Sequence, residues 1–179
     1  AVYDGTDAVM LSGETAQGKY PAEALQMMVH IIENTEKHLD YDVLLEKAQE
    51  HRKKGISSAI GYSSVATAMN LSAKCIITPS VTGATARVVS KFKPKADIIG
   101  VTPCEETLRR MQIYWGVTPV KSIEYNTTED ICNDAIDLVT AKRLVEPGDI
   151  VVMTAGIPSP TIKKSRDGVT NMMRIAVVE

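Results

Sequence analysis

The sequence predicts an α/β fold, with a mostly parallel five-stranded sheet, helices on both faces and an antiparallel last strand. Two observations support this prediction. Short apolar runs alternate with helix-length segments from residue 57 onward. Strands separated by helices normally run parallel and are buried on both faces. The last strand follows its predecessor with no helix between them, so we expect it to pair antiparallel at or near an edge of the sheet.

The first forty residues predict a strand, a loop and a helix. The strand is the short apolar run 7–11, and Pro21 begins the helix at a position where its missing N–H costs nothing. Apolar residues at helical spacing predict a broad buried face; they are Ala24, Leu25, Met27, Met28, Ile31 and Ile32. A single such unit cannot bury its own strand, so we expect these residues to be the end of a larger domain.

A charged, weakly helical segment, residues 40–54, is expected to connect this unit to the sheet. The small residues of 57–71 predict a helix that packs closely. The remaining predicted strands are 75–78, 97–102, 117–123, 150–154 and 171–178, and the remaining predicted helices are 85–91, 105–115 and 127–143. Gly116 suits the position after a helix, and Thr127 suits an N-cap.

Length and charge limit the class of protein. The chain has 179 residues, with 20 Lys and Arg against 22 Asp and Glu and a formal charge of −2. The length allows one domain, or one domain and part of another. The balanced charge offers no basic surface for nucleic acid, and no apolar run approaches the roughly 20 residues of a membrane span. We expect a soluble, cytoplasmic protein with neither nucleic acid nor a membrane as a partner.

The residue types of common catalytic sites are scattered. The three histidines, His30, His38 and His51, lie in charged helical stretches without carboxylates at ligand spacing, which favours surface positions. Cys75 and Cys132 are predicted on a strand and a helix with nothing to activate them. We therefore expect no catalytic residue and no metal site in this chain.

A hydroxyl-rich loop, residues 78–85, joins a predicted strand to a predicted helix. In open α/β sheets, ligands bind beyond the carboxyl ends of the strands. The loop's hydroxyls, its glycine and the N–H groups of the following helix suit a phosphate. It has no Walker motif, and an ordinary capping turn is the alternative reading.

A second long connection, residues 156–168, carries three cations, Lys163, Lys164 and Arg166. Connections of this length are usually functional or disordered. The cations could close over an anion, and a solvated hairpin tip is the alternative. Since both loops leave the carboxyl ends of strands, they could meet over one ligand.

The string DAVMLSGETAQGKYPAEA at residues 7–24 closely resembles the end of the catalytic barrel of the pyruvate kinase family. Three further strings resemble its C-terminal domain in the same order: TPSVTGATARVVSKFKPKADIIGVTP, LVEPGDIVVMTAG and GVTNMMRI. The resemblance covers essentially the whole chain. It implies that residues 1–39 are the last βα unit of a (β/α)₈ barrel, and that residues 40–179 form the allosteric and oligomerisation domain.

The resemblance implies a glycolytic enzyme, which transfers the phosphoryl group of phosphoenolpyruvate to ADP with Mg²⁺ and K⁺. The catalytic lysine and the metal-binding carboxylates belong to earlier parts of the barrel, so this chain alone should bind no cofactor and be inactive. Ser12, Gly13 and Glu14 would lie at the barrel's active-site face. The family also implies other pyruvate kinase subunits as partners, in a tetramer, and a phosphorylated small-molecule effector.

The resemblance assigns the effector's phosphate to Ser80, Val81, Thr82, Gly83, Ala84 and Thr85. It assigns a second effector loop to Gly156, Ile157, Pro158, Lys163, Lys164, Ser165, Arg166 and Gly168. Val81, Ala84 and Ile131 stand where the animal-type fructose 1,6-bisphosphate site uses basic residues. A monophosphate such as ribose 5-phosphate or AMP, typical of bacterial relatives, fits at least as well. The alternatives are a stand-alone binding module and a structural domain with a silent effector site.

Overall fold

A five-stranded sheet forms the centre of the molecule. The computed structural model describes residues 1–124, 128–157 and 169–179. The strands are β1 (Cys75–Pro79), β2 (Asp97–Thr102), β3 (Val117–Lys121), β4 (Ile150–Ala155) and β5 (Met172–Val177). The helices are α1 (Gly13–Ala16), α2 (Pro21–Glu36), α3 (Tyr41–Glu50), α4 (Ile56–Asn70), α5 (Ala84–Ser90), α6 (Glu105–Met111) and α7 (Thr128–Ala141).

The strand order is β3-β2-β1-β4-β5, and all neighbouring pairs are parallel except β4 and β5. This order confirms the predicted mixed sheet, with the antiparallel last strand at an edge. The carboxyl ends of four parallel strands therefore meet along one side of the sheet, which is where such folds bind ligands.

Alternate residues of each strand face opposite layers, as the pleat requires. On β1, Cys75 and Ile77 pack in the layer covered by α7, whereas Ile76 packs in the layer formed with α3, α4, α5 and α6. The predicted burial on both faces is confirmed.

The small residues of α4 permit close packing, as expected. A Cβ added at Gly61 would lie 2.6 Å from Val88 Cγ1 on α5. Glycine at this position lets the two helices approach more closely than any larger residue would.

The predicted strand at 7–11 is wrong, because the described chain forms no strand there. A strand needs a neighbour for its backbone hydrogen bonds, and none lies beside this segment. The segment instead rests on the domain through an ion pair between Asp7 and Lys93, and the Lys93 ammonium lies 4.8 Å from the centre of the Trp115 ring.

The expected buried face of α2 is also wrong for this chain, since none of its residues is buried. Its most exposed large apolar side chains are Leu25, Met27, Val29 and Ile31. The periodicity correctly predicted an amphipathic helix that begins at Pro21, but the described residues leave most of its apolar side chains exposed.

Several element boundaries differ from the predictions, and the largest difference is at α6. This helix ends at Met111 rather than at Trp115, so Gly116, with a φ of 59°, is not the residue that follows it directly. The Asp40 side chain accepts a hydrogen bond from Val43 N at 3.1 Å and so caps α3. The domain boundary near residue 40 stays a prediction.

Candidate functional site

A cleft of about 220 Å³ opens at the carboxyl ends of the parallel strands. We call it the strand-end cleft. Its lining residues come from the segments that follow four strands and from the first turn of α7, and they include Pro79, Ser80, Val81, Pro103, Ser122, Glu124, Ile131 and Gly156. The first predicted loop and the start of the second thus share one cavity.

Hydrogen bonds to its backbone atoms hold the first loop in place. Ser80 N donates to Val101 O on β2 at 2.9 Å. Val81 O accepts from the Thr107 hydroxyl at 2.9 Å, and the Arg110 guanidinium donates to Thr82 O at 2.8 Å. These bonds fix the loop carbonyls against β2 and α6, and the exposed Val81 and Thr82 side chains remain at the surface.

Gly83 turns the chain from this loop into α5. Its φ is 73°, in the left-handed region where residues with a Cβ are strained. An added Cβ would also lie 3.0 Å from Met111 Cγ and 3.1 Å from Thr107 Cγ2. Both the conformation and the packing therefore require glycine here.

The Thr85 hydroxyl has a protein partner. It lies 3.0 Å from the Thr170 hydroxyl in a buried environment, and Thr170 N donates to the Ser57 hydroxyl at 3.0 Å. The Thr82 hydroxyl, in contrast, is exposed and accepts a long bond of 3.4 Å from Ala84 N. Of the two threonine hydroxyls expected at a phosphate, Thr82 is the accessible one.

The described walls of the cleft carry no cation. Glu124 is the one charged side chain among the described residues that line it, and Ile131 is apolar. Sequence reasoning did not single out Glu124, because it lies in a connection after β3 where no motif marks it. Its carboxylate makes the described part of the cleft unfavourable for a second phosphate.

The second predicted loop is closed at its base by Asn171. Ile157 N donates to Asn171 Oδ1 at 2.7 Å, and Asn171 Nδ2 donates back to Ile157 O at 2.9 Å. A Cβ added at Gly156 would lie 2.6 Å from Val169 O. The sequence placed Asn171 at the start of a strand and gave no signal for this reciprocal pair.

The other residues predicted for this second loop lie outside the described residues, and their roles stay predictions. They are Pro158, Lys163, Lys164, Ser165, Arg166 and Gly168.

The remaining candidates occupy the predicted positions. The three histidines are exposed, and Cys75 and Cys132 are buried. Burial raises the pKa of the Cys75 thiol to about 12. Within the described ranges, no three His, Cys, Asp or Glu side chains are grouped as metal ligands, and no helix has the length and hydrophobicity to cross a bilayer.

Comparison with known proteins identifies both parts of the chain. The family model described as pyruvate kinase, alpha/beta domain, matches residues 58–176, and the model described as pyruvate kinase, barrel domain, matches residues 1–25. The chain belongs to the pyruvate kinase family. The resemblance seen in its motifs is thereby confirmed, and the sheet described above is the family's α/β domain.

Curated pyruvate kinases align along essentially the whole chain. The protein from Clostridium acetobutylicum is 40% identical over 179 residues, which is all of this chain and 37% of that protein. The protein from Staphylococcus epidermidis is 43% identical over 178 residues, which is 99% of this chain and 30% of that protein. The chain therefore spans about a third of the length of these relatives.

The fold is also found in solved structures of the family. A crystal structure of a pyruvate kinase from Cryptosporidium parvum superposes with a TM-score of 0.85 at 32% identity, and it covers 99% of this chain and 34% of that protein. A second crystal structure of the enzyme from that organism gives 0.84 at 32% identity, covering 100% of this chain and 34% of that protein.

Proposed function

We propose that this chain is the regulatory part of a pyruvate kinase, which binds a phosphorylated effector in the strand-end cleft and contributes a subunit interface. The whole enzyme would transfer the phosphoryl group of phosphoenolpyruvate to ADP in cytoplasmic glycolysis, with Mg²⁺ and K⁺. The chain alone would be inactive, because a single βα unit cannot assemble the barrel's active site.

The observation that carries the proposal is the position of the cleft. It lies at the carboxyl ends of the parallel strands, and its wall includes Ser80, Val81 and Gly156, the residues at which both predicted effector loops begin. Hydrogen bonds from Thr107, Arg110 and Ser80 N fix the backbone of the first loop, so the loop is ordered before a ligand arrives. The cations Lys163, Lys164 and Arg166 follow Gly156 in the sequence and would supply the positive charge.

The effector we propose carries a single phosphate. A bisphosphate would bring its second phosphate toward a wall that holds the Glu124 carboxylate and the apolar Ile131. Like charges repel, and this repulsion is stronger where water is partly excluded. A sugar monophosphate would instead place hydroxyl groups beside Glu124, and hydroxyls can donate hydrogen bonds to a carboxylate.

The test is a thermal-shift and calorimetric series on the full chain with ribose 5-phosphate, AMP, glucose 6-phosphate and fructose 1,6-bisphosphate. A ligand at about 100 times its Kd adds roughly 2.7 kcal/mol to the stability of the native state. We expect a saturable shift with one monophosphate and a smaller one with the bisphosphate. The absence of a shift with every ligand would contradict the proposal and favour a silent effector site.

Two variants locate binding in the cleft. Ile131→Glu adds a second carboxylate to the wall and should abolish the shift, whereas the control Ile113→Glu adds the same charge at an exposed residue that does not line the cleft. Glu124→Gln should improve fructose 1,6-bisphosphate binding several-fold more than monophosphate binding. Equal effects of Ile131→Glu and Ile113→Glu would place the ligand elsewhere.

The subunit interface we propose lies along β5, with a second copy of the chain as its partner. The apolar side chains Met173, Ile175 and Val177 alternate along this edge strand and are exposed. The opposite edge strand, β3, is shorter and contains Pro119 and Lys121, both of which oppose pairing with another strand. Of the two edges, β5 is therefore the one suited to a symmetric contact.

Sedimentation of the chain at micromolar concentrations tests the interface. Ile175→Lys should shift the chain toward the monomer, whereas the same substitution at Ile123, a more exposed isoleucine beyond β3, should not. If both variants sediment like the parent chain, β5 is not the interface.

A further inference from the structure

A second cavity, of about 610 Å³, lies between the end of α3, the start of α4 and the side of α5. It shares no lining residue with the strand-end cleft. Five side chains that can carry positive charge surround it: His51, Arg52, Lys53, Lys54 and Lys91. We call this cavity the basic groove.

The positive charge of the basic groove is not neutralised locally. No Asp or Glu is among the described residues that line it. In the part of the chain that the structure describes, the ion pairs of Lys and Arg involve Lys93, Arg109, Arg110 and Lys121, and none involves a groove residue. This concentration of cations occurs in a chain whose formal charge is −2.

The groove also has a fixed apolar wall. Phe92 is buried beneath it and packs edge-on against Tyr62, with 5.9 Å between ring centres, and Val88 lies beside Phe92 in the lining. The Arg52 guanidinium lies 5.8 Å from the centre of the Tyr62 ring. Arg52 is thus held against an aromatic ring, while Lys53, Lys54 and Lys91 are exposed residues of the lining.

Polar groups complete the arrangement. Ser57 and Ser58 line the groove in the first turn of α4. Gly55 precedes this helix, so no N-cap side chain accepts hydrogen bonds from its first-turn N–H groups. The site itself rests on the cavity and its five basic residues.

We propose that the basic groove is a second anion site, which binds a small phosphorylated molecule with at least two negative charges. Lys53, Lys54 and Lys91 supply attraction at the rim, and Arg52 supplies a planar, aromatic-supported guanidinium. The apolar wall of Val88 and Phe92 leaves room for a compact organic group beside the phosphate. Both polyphosphates and phosphate esters share this chemistry.

The test uses two probes, inorganic pyrophosphate and AMP, titrated into the full chain by calorimetry and by amide chemical-shift mapping. We expect saturable binding, with changes in the amide chemical shifts of residues 52–58 and 88–92. Tighter binding of pyrophosphate would identify a polyphosphate ligand, and tighter binding of AMP would identify a phosphate ester.

The variant Lys53→Gln/Lys54→Gln/Lys91→Gln should weaken binding at the groove about tenfold or more. A control with the same change in net charge is Lys19→Gln/Lys74→Gln/Lys142→Gln, whose lysines are exposed and outside both cavities. The control should change the affinity less than about twofold. Because all six side chains are on the surface, circular dichroism should show the same fold for both variants.

Two results would overturn the proposal. An equal loss in both triple variants would mean attraction by net charge alone, and shifts confined to the strand-end cleft would mean that the anion binds there. The Ile131→Glu variant separates the two proposals, because it blocks the cleft and should leave groove binding intact.

Discussion

Replacing Thr85 by valine removes one buried hydrogen bond while keeping the shape of the side chain. The Thr85 and Thr170 hydroxyls lie 3.0 Å apart, and both residues are less than 5% exposed. Valine and threonine are both β-branched, so the helix propensity of α5 changes little. The substitution leaves the Thr170 hydroxyl without its partner in a place that water does not reach.

An unsatisfied buried hydroxyl costs about 1–3 kcal/mol. We therefore expect Thr85→Val to lower the free energy of unfolding by about 2 kcal/mol. For a chain of this size, each kcal/mol shifts Tm by roughly 2–4 °C, so Tm should fall by about 4–8 °C. Thr170→Val should have a similar effect for the same reason.

The double variant Thr85→Val/Thr170→Val removes both partners and should be nearly neutral, since no polar group is then stranded. The assay is urea unfolding followed by the fluorescence of Trp115, the only tryptophan of the chain. The exposed Thr118→Val serves as the control. A double variant whose loss equals the sum of the single losses would refute the reasoning, because it would mean that the hydroxyls do not interact.

Three further predictions concern other parts of the fold. Gly61→Ala should destabilise the chain by about 1–3 kcal/mol, because the new methyl group overlaps α5; an unchanged urea midpoint would contradict this. Cys104 should react with iodoacetamide before Cys75 at pH 8, and mass spectrometry after timed quenching gives the order. Hydrogen bonds from the backbone and hydroxyl of Thr107 and from the backbone of Glu106 lower the pKa of the Cys104 thiol, whereas burial raises the pKa of the Cys75 thiol to about 12. Lys93→Met should cost about 1 kcal/mol and alter Trp115 emission, because it removes the cation above the ring; identical spectra and stability would show that the contact is absent in solution.

Local sequence patterns determined most of the sheet. The strands β1, β2 and β4 are short, mostly apolar runs, and segments with helical spacing separate the strands from one another, which suffices to predict parallel strands whose central members are buried on both faces. The missing helix before β5 predicted its antiparallel pairing, and the structure confirms it. These features depend on neighbours along the chain, and a sequence displays such neighbours directly.

The first forty residues show where local pattern is insufficient. The run 7–11 and the apolar stripe of α2 predicted a strand and a buried helix face, but the structure has neither. An amphipathic pattern indicates that a segment has an apolar face suited to burial. That face is buried only where another element packs against it.

The sequence predicted the position of the candidate site, and the tertiary structure shows which residues line it. The hydroxyl-rich loop and its motif predicted where a ligand would bind. Only the folded chain brought Glu124 and Ile131 to the same cleft, and only it joined Thr85 to Thr170, which lies 85 residues away. Such contacts join residues that are far apart in sequence and carry no periodic signal, so they are decided by how the strands and helices pack, and not by any single segment.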